Sequence, residues 1–531
     1  IITTPTAYDT GKILSVKPVQ TYGPELVTNG DFATDSDWTK ETGWTISGGN
    51  ANYNGNAALS ALYQNAVTSG VKYRVSFDVL NYVSGSFKVH LSDGQIAGSS
   101  PLITDNGNYV FDITSIGALV LFRNVTSFIG SIDNVSVKEV FNADFDFSRN
   151  SSATRVGSNG LIQDVASNLP RIDYTGGVGS WKFEPQRTNL LPYSEDFTNW
   201  SVTNATLTEN ATISPDGTLN ATKITDNATS GNHRVITPTT TPTSGNATYS
   251  IFLKKGTMTT CFINMFSGGT IANTFVDLEN GTISGGSGLS QTIEPYGNDW
   301  YRVSITGVLA NSSTYVYVYV KQIGGYVGAE DHIFMYGAQL ESGSYPTSYI
   351  RSNSGSATTR LADVANNAGS SDLINSTEGV LMAETKGEND GTFNYISLND
   401  GNTTNYCGIL YTDNDNEITY RYYVGGSGVQ IIISGIDITN FNKIAVKWKV
   451  NDFAIWINGY ELGTSSSGSI NPSGTFDQLA FARGGSNNTP FFGNTKSLAV
   501  FKEALTDLEL ECLVSWMSFS DLGINFGYTV E

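Results

Sequence analysis

Cysteine is scarce in this chain: Cys261, Cys407 and Cys512 are the only three in 531 residues, and they sit far apart. That spacing fits no zinc motif and no disulfide framework, so three free buried thiols are expected. Histidine is equally rare, at His90, His233 and His332. They are scattered, and no Gly-x-Ser-x-Gly elbow accompanies them. Basic residues are few, with 29 Lys and Arg against 49 Asp and Glu and a formal charge of −20. A phosphate backbone needs Lys and Arg density, so nucleic acid is excluded as a partner. No apolar run is long enough to cross a bilayer as a helix, so membrane insertion is not expected. The opening Ile1-Ile2-Thr3-Thr4-Pro5 lacks a basic stretch before an apolar core and does not read as a signal peptide.

What is present is turn-rich and aromatic. Glycine numbers 56, and aromatics make up 11% of the residues. Val, Ile, Thr, Tyr and Phe outweigh the helix formers, which is the composition of an all-β protein. The length suits about three or four domains. The acidic surplus serves solubility and suits divalent cations.

One design occurs twice. Asn29-Gly30-Asp31-Phe32 leads to Trp38 and Trp44, and Ser194-Glu195-Asp196-Phe197 leads to Trp200. Each opening is followed by alternating segments and closes on a short strand, around Asp133 in the first and around Glu341 in the second. The expected order is an extended arm over 1–24, a first module over 25–140 and a connecting segment over 141–188. A second module spans 189–350, a second connecting segment 351–375, and a third globular unit 376–531. The arm carries Pro5, Pro18 and Pro24, and Ile13-Leu14-Ser15-Val16 could add one strand to a neighbour. Related Ser-Ala-Thr-Arg and Ser-Ala-Thr-Thr-Arg stretches end at Arg155 and Arg360. A segment of this kind follows both modules, so it is read as a packed joint and not a free linker.

Period-two alternation marks half-buried strands at 73–79, 86–91, 248–253 and 300–305. Tyr315-Val316-Tyr317-Val318-Tyr319-Val320 puts Tyr on one face without a break. Asn458-Gly459 predicts a tight hairpin. Thr506 or Asp507 should cap the one helix expected. Asp413 to Glu417 looks like the start of a calcium loop, but Ile418 stands where such a loop needs glycine, so it reads as a hairpin tip.

Three resemblances follow from these residues. "KIAVKWKVNDFAIWINGYELGT" (443–464) and "GNTKSLAVFKEALTDLELECL" (493–513) resemble the laminin-G-like, concanavalin-type lectin sandwich. "RTNLLPYSEDFTNW" (187–200), "FVDLENGTISGG" (275–286), "GNDWYRVSITG" (297–307) and the stretch 335–363 resemble a module of bacteriophage tail and head-fibre proteins. The joint "RNSSATRVGSNGLIQDVASNLPRIDY" (149–174) is similar to segments of the same proteins. The first module resembles a carbohydrate-binding jelly roll through its opening and "GSIDNVSVKEV" (130–140).

Together these imply an all-β architecture: tandem jelly-roll sandwiches and a C-terminal lectin-like sandwich. They imply a phage virion structural protein (tail fibre, spike or head fibre) that adheres to host or environmental glycans. The expected setting is the virion surface, as a homotrimer joined to other virion proteins through the arm. No heptad pattern supports the trimer. The rival readings are a decoration protein that binds no sugar and a polysaccharide depolymerase. No Glu-x-Asp-x-x-Glu strand of the sandwich glucanases is present, so no enzyme is expected. Sugar stacking needs flat rings, and the candidates are Trp38, Trp44, Tyr53, Trp200, Tyr315, Tyr317 and Tyr319, with Tyr63, Tyr296 and Trp300 behind them. Core filling is the competing use of every one of these rings, and the Tyr face is the better candidate. No cofactor is required. By resemblance, a structural calcium would take Asp31 and Asp133, with Glu341 and Glu195 or Asp196 as counterparts in the second module.

Overall fold

The computed structural model describes residues 1–15, 21–57, 59–94, 99–141, 143–242, 244–321, 324–388, 391–484 and 489–515. Val16 and Pro18, part of the expected arm, lie outside the described residues. The chain is all-β, built of antiparallel sheets, and divides into two compact units: Lys17–Asn142, and Ile1–Val16 with Ala143–Glu531.

The smaller unit is a jelly-roll sandwich built on two long strands, Lys72–Leu91 and Leu119–Phe141. They pair along most of their length, but the register shifts four times between Asn124 and Ser136. Those bulges bend the pair so that it contributes to both layers. Phe77, Phe87, Phe122 and Phe128 fill the space between.

The larger unit contains two further sandwiches. In the second module, the sheets run 201–203, 234–236, 314–319, 260–267, 270–277, 282–287 and 205–213, 219–226, 332–342, 245–255, 300–309, 290–295, in that spatial order. Ile251, Ile263, Met265, Val303, Val316, Val318 and Leu340 are buried between them. In the third, the strands Gly379–Lys386, Asn442–Trp448, Phe453–Ile457 and Gly493–Phe501 face a five-stranded sheet containing Tyr406–Tyr411 and Glu417–Val424. Asn458 and Gly459 both take positive φ, 52° and 91°, and close the expected hairpin with Ile457 opposite Tyr460. The helix Asp507–Ser515 is capped by Thr506. Glu509 reaches back to the Thr506 N–H at 2.8 Å, which completes a capping box. Residues 413–417 join two paired strands, as a hairpin tip should.

The arm is where expectation and structure part. Ile2–Thr3 pairs with Gly493–Phe501 of the lectin-like sandwich. Lys12–Ile13 pairs with Phe145–Ser148, with Ile13 fully buried. Thr21–Glu25 pairs with the closing strand of the smaller unit. These strands are too short to show a period, and their partners lie more than a hundred residues away, so local pattern could not reveal them. The added strand of the arm is taken up by this chain itself.

The joint is packed, as its arginines required. Arg149, Arg171, Arg360, Glu184 and Asp363 are all buried. Arg149 Nη1 reaches Asp363 Oδ1 at 3.0 Å, Arg171 Nη1 and Arg360 Nη1 reach Glu184 Oε2 at 2.6 and 2.7 Å, and Arg171 also pairs with Asp363. Ser348 donates from N and Oγ to Glu184 at 2.7 and 2.6 Å. Burial works against the Glu184 carboxylate, but Arg360 and Arg171 outweigh it and hold its pKa well below the usual value. A depressed folded pKa contributes stability that is complete above the unfolded value of about 4.5 and is lost as pH falls through the folded value. Urea midpoints should therefore stay level from neutrality to about pH 5 and drop below about pH 4.5. A flat profile down to pH 3 would show that Glu184 gains nothing on folding.

Candidate functional site

The repeated opening turns out to be a structural staple. In the first module, Gly30 accepts a hydrogen bond from Val135 N at 2.8 Å, and the Trp38 indole donates to Asn29 O at 3.0 Å. In the second, Ser194 accepts from Ala338 N at 2.8 Å, and the Trp200 indole donates to Tyr193 O at 3.0 Å. Phe32 packs on Trp38 with ring centroids 5.4 Å apart, and Phe197 on Trp200 at 4.8 Å. Each opening is thus tied to its closing strand and pinned by an indole. Gly30 is required because a Cβ there would stand 2.1 Å from Val135 O.

Burial removes four candidates. Trp38 and Trp44 are 5% exposed, Tyr53 2% and Trp200 4%, all within hydrophobic cores. A sugar ring cannot stack on a ring already enclosed on both faces. Trp300 is buried too, with its indole on Ile213 O at 3.0 Å.

The Tyr strand behaves differently. In Thr314–Tyr319, Val316 and Val318 enter the core, while Tyr315 and Tyr317 lie half-buried on the opposite face. Tyr319 departs from them: it is 4% exposed, and Arg234 Nη1 donates to its hydroxyl at 2.8 Å. The neighbouring strands extend the face in register. Phe266 stands opposite Tyr315, Asn264 opposite Tyr317, and Phe262 opposite Tyr319. Beyond them, Asn273 pairs with Asn264 and Phe275 with Phe262. On the other side, Arg234 opposes Tyr319 and Ile236 opposes Tyr317.

The rings brace one another. Phe266 and Tyr315 stack at 4.9 Å and 14°, and Tyr315 meets Tyr317 edge-on at 5.1 Å. The Arg234 guanidinium lies 4.1 Å from the Tyr317 ring centre. A hydrogen bond with Tyr317 raises the pKa of its neighbour Tyr315. Side chains stand roughly perpendicular to a sheet. The face therefore offers a corrugated apolar floor edged by hydroxyl, amide and guanidinium groups. Sequence reading missed Arg234, Phe262, Asn264 and Phe266. The alternation in Phe262-Ile263-Asn264-Met265-Phe266 was the available signal, but apolar residues on both faces obscured it.

The opposite sheet of this sandwich has no such free face. Phe252, Trp300 and Tyr336 are buried there beneath Ile162 of the joint and Tyr349 at the end of the module. Arg351 clamps the cover by pairing with Asp164 at 3.0 Å, Asp216 at 3.1 Å and Glu195.

Among the described residues, the acidic candidates do not converge on one point. Glu341 is fully buried and accepts from Thr347 N at 2.9 Å, Thr347 Oγ at 2.7 Å and Gln339. Glu195 is taken by Tyr336, Tyr349 and Arg351, and Asp196 caps a short turn. In the smaller unit, Asp31 is exposed and Asp133 Oδ1 accepts from Asn134 N at 2.7 Å. No three acidic, His or Cys side chains converge among the described residues, whereas calcium takes about six to eight oxygens. His233 is buried, with both ring nitrogens on backbone carbonyls at 2.6 and 3.0 Å. Cys261 and Cys407 are free and buried, and burial alone raises the Cys261 thiol.

No protein-family model matches the chain, and no curated protein matches it. Among solved structures, it is similar to the Ruminococcus gnavus IT-sialidase CBM40, at 15% identity and TM-score 0.24 over 27% of this chain and 84% of that one. It is also similar to the CBM22-1-CBM22-2 tandem of Paenibacillus barcinonensis Xyn10C, at 9% identity and TM-score 0.19 over 60% and 98%. The LG1-3 region of the laminin alpha2 chain gives 11% identity and TM-score 0.15 over 84% and 96%. At these scores, the likeness carries no functional argument. The class is defined by the chain's own sheets: an all-β protein of antiparallel sandwiches.

Proposed function

We propose that this chain is an adhesion protein that holds glycan chains on the Tyr face of its second sandwich. The observation that carries the reading is the row of Tyr315 and Tyr317 on an open sheet whose partner sheet is sealed by the joint. A half-wet row of phenols beside Asn273 and Arg234 matches the mixed apolar and hydroxyl character of sugars. Each contact would be weak, and display of many copies would raise avidity. The reading extends to a phage particle, with the chain in a tail fibre, spike or head fibre at the virion surface. Its support there is the likeness of residues 187–363 to such modules. Trimerisation belongs to the same proposal. Attachment to other virion proteins cannot use residues 1–3 or 12–13 as free strands, because both are paired within the chain.

A glycan array tests this directly. Labelled protein should mark a subset of glycans, and Y315A/Y317A should lower that signal by about tenfold or more. Its melting temperature should stay close to that of the parent, because neither ring belongs to the core. An array without signal, or one unchanged by the double substitution, would sink the proposal.

A further inference from the structure

Between the joint, the covered sheet of the second sandwich and the lectin-like sandwich lies a cavity of about 430 Å³. Its lining includes Asp173, Lys182, Glu294, Tyr296, Arg302 and Lys386. That volume falls within the range of small-molecule sites, about 300–1,000 Å³. A second hollow of about 310 Å³ shares Val156, Thr175 and Tyr296 with it and continues along Gly157, Gly160 and Gly176. Sequence reading singled out only Tyr296 among these residues, as a candidate ring.

Two cations on this wall have donors to spare. The Lys182 side chain is 20% exposed, and its nearest carboxylate oxygen, Glu184 Oε1, lies at 3.8 Å, beyond hydrogen-bond length. An ammonium has three donors to place. Burial works against its charge, but Asp173 and Glu184 offset that and raise its pKa above the usual lysine value. Arg302 is 5% exposed. Its Nη2 donates to Ser250 Oγ at 2.9 Å and Thr347 O at 2.8 Å, its Nε is buried out of a ligand's reach, and its Nη1 has no hydrogen-bond partner among the described residues. Leaving such donors unmet in a recess is costly unless something else accepts from them.

The charge balance narrows the occupant. Asp173 and Glu184 already neighbour Lys182. Asp173 accepts from Val156 N at 2.9 Å and Thr175 N at 3.0 Å, so its oxygens are engaged. Arg302 forms no ion pair among the described residues. Of the charged side chains lining the cavity, Arg155, Lys182, Arg302 and Lys386 stand against Asp173, Glu294 and Glu388, four positive to three negative, so one positive charge is left over, which suits a monoanion better than a dianion. Tyr296 offers an apolar ring beside it, and the glycine-lined hollow lets a ligand lie close to backbone. We infer that this cavity binds a carboxylate-bearing sugar, with Lys182 and Arg302 taking the carboxylate and Tyr296 packing against the ring. The inference adds a second, acid-selective site to the glycan reading and stands apart from the Tyr face.

Ligand-detected NMR titration of the whole chain with glucuronate, glucose and inorganic phosphate tests it. Glucuronate should bind at least about tenfold more tightly than glucose. K182M should weaken glucuronate by about tenfold, and K182R, which keeps the positive charge, should restore it. Y315A/Y317A should leave glucuronate binding unchanged, so failure here is separable from failure at the Tyr face. The inference is overturned if glucuronate does not bind, if glucose binds equally, or if K182M has no effect. Tighter binding of phosphate than of glucuronate would make the cavity a simple oxyanion site and overturn the sugar assignment.

Discussion

Asp363→Ala should destabilise the larger unit by about 3–5 kcal/mol, the cost of leaving buried charges without their partner. Asp363 is fully buried and serves three groups at once: Arg149, Arg171 and the Glu184 N–H at 2.9 Å. Removing it strands Arg149 outright, because its other hydrogen bonds go to the carbonyls of Ser151 and Ala166. Arg171 keeps Glu184 and loses less. The loss should appear as a displaced urea midpoint. Arg149→Met in the Asp363→Ala background should recover part of it, since the second change removes the stranded charge. Glu279→Ala, which breaks the exposed pair with Lys255, should change the midpoint little. Equal effects of the buried and exposed substitutions would mean that the joint is not held by its ions.

Trp200→Ala should cost about 3–5 kcal/mol as well, from a different cause. It empties a large core volume and also frees the Tyr193 carbonyl that the indole holds. Thermal unfolding would report the loss, while the glycan signal of the surviving folded protein should be retained. The contrast with Y315A/Y317A is the useful result: one substitution removes stability, the other binding. A Trp200→Ala protein that melts normally but no longer binds sugar would reverse the assignment of the two aromatic sets.

Much of the fold was legible because its signals are local. The alternation of Tyr315 to Val320 fixed which residues share a face. Asn458-Gly459 specified its turn through two positive φ values, and Thr506 with Glu509 specified its cap. The doubled opening was legible as a repeat, and its Asp-Phe…Trp order does reflect one geometry used twice. What that geometry does was misread. An indole that pins a turn and an indole that stacks on a sugar leave the same letter in a sequence.

The chain by itself determined its class, its strands, its hairpins and the parity of its faces, because propensity, turn chemistry and period two act over a few residues. Only the tertiary structure decided which face stays open. The joint covers Phe252, Trp300 and Tyr336 and leaves Tyr315 and Tyr317 half-exposed. It also decided that residues 1–13 are built into the larger unit, that Glu341 is spent on Thr347 and Gln339, and that Lys182 and Arg302 meet around one cavity. Each of these depends on contacts between segments far apart in the chain, where burial and hydrogen-bond satisfaction are settled by packing and leave no local pattern to read.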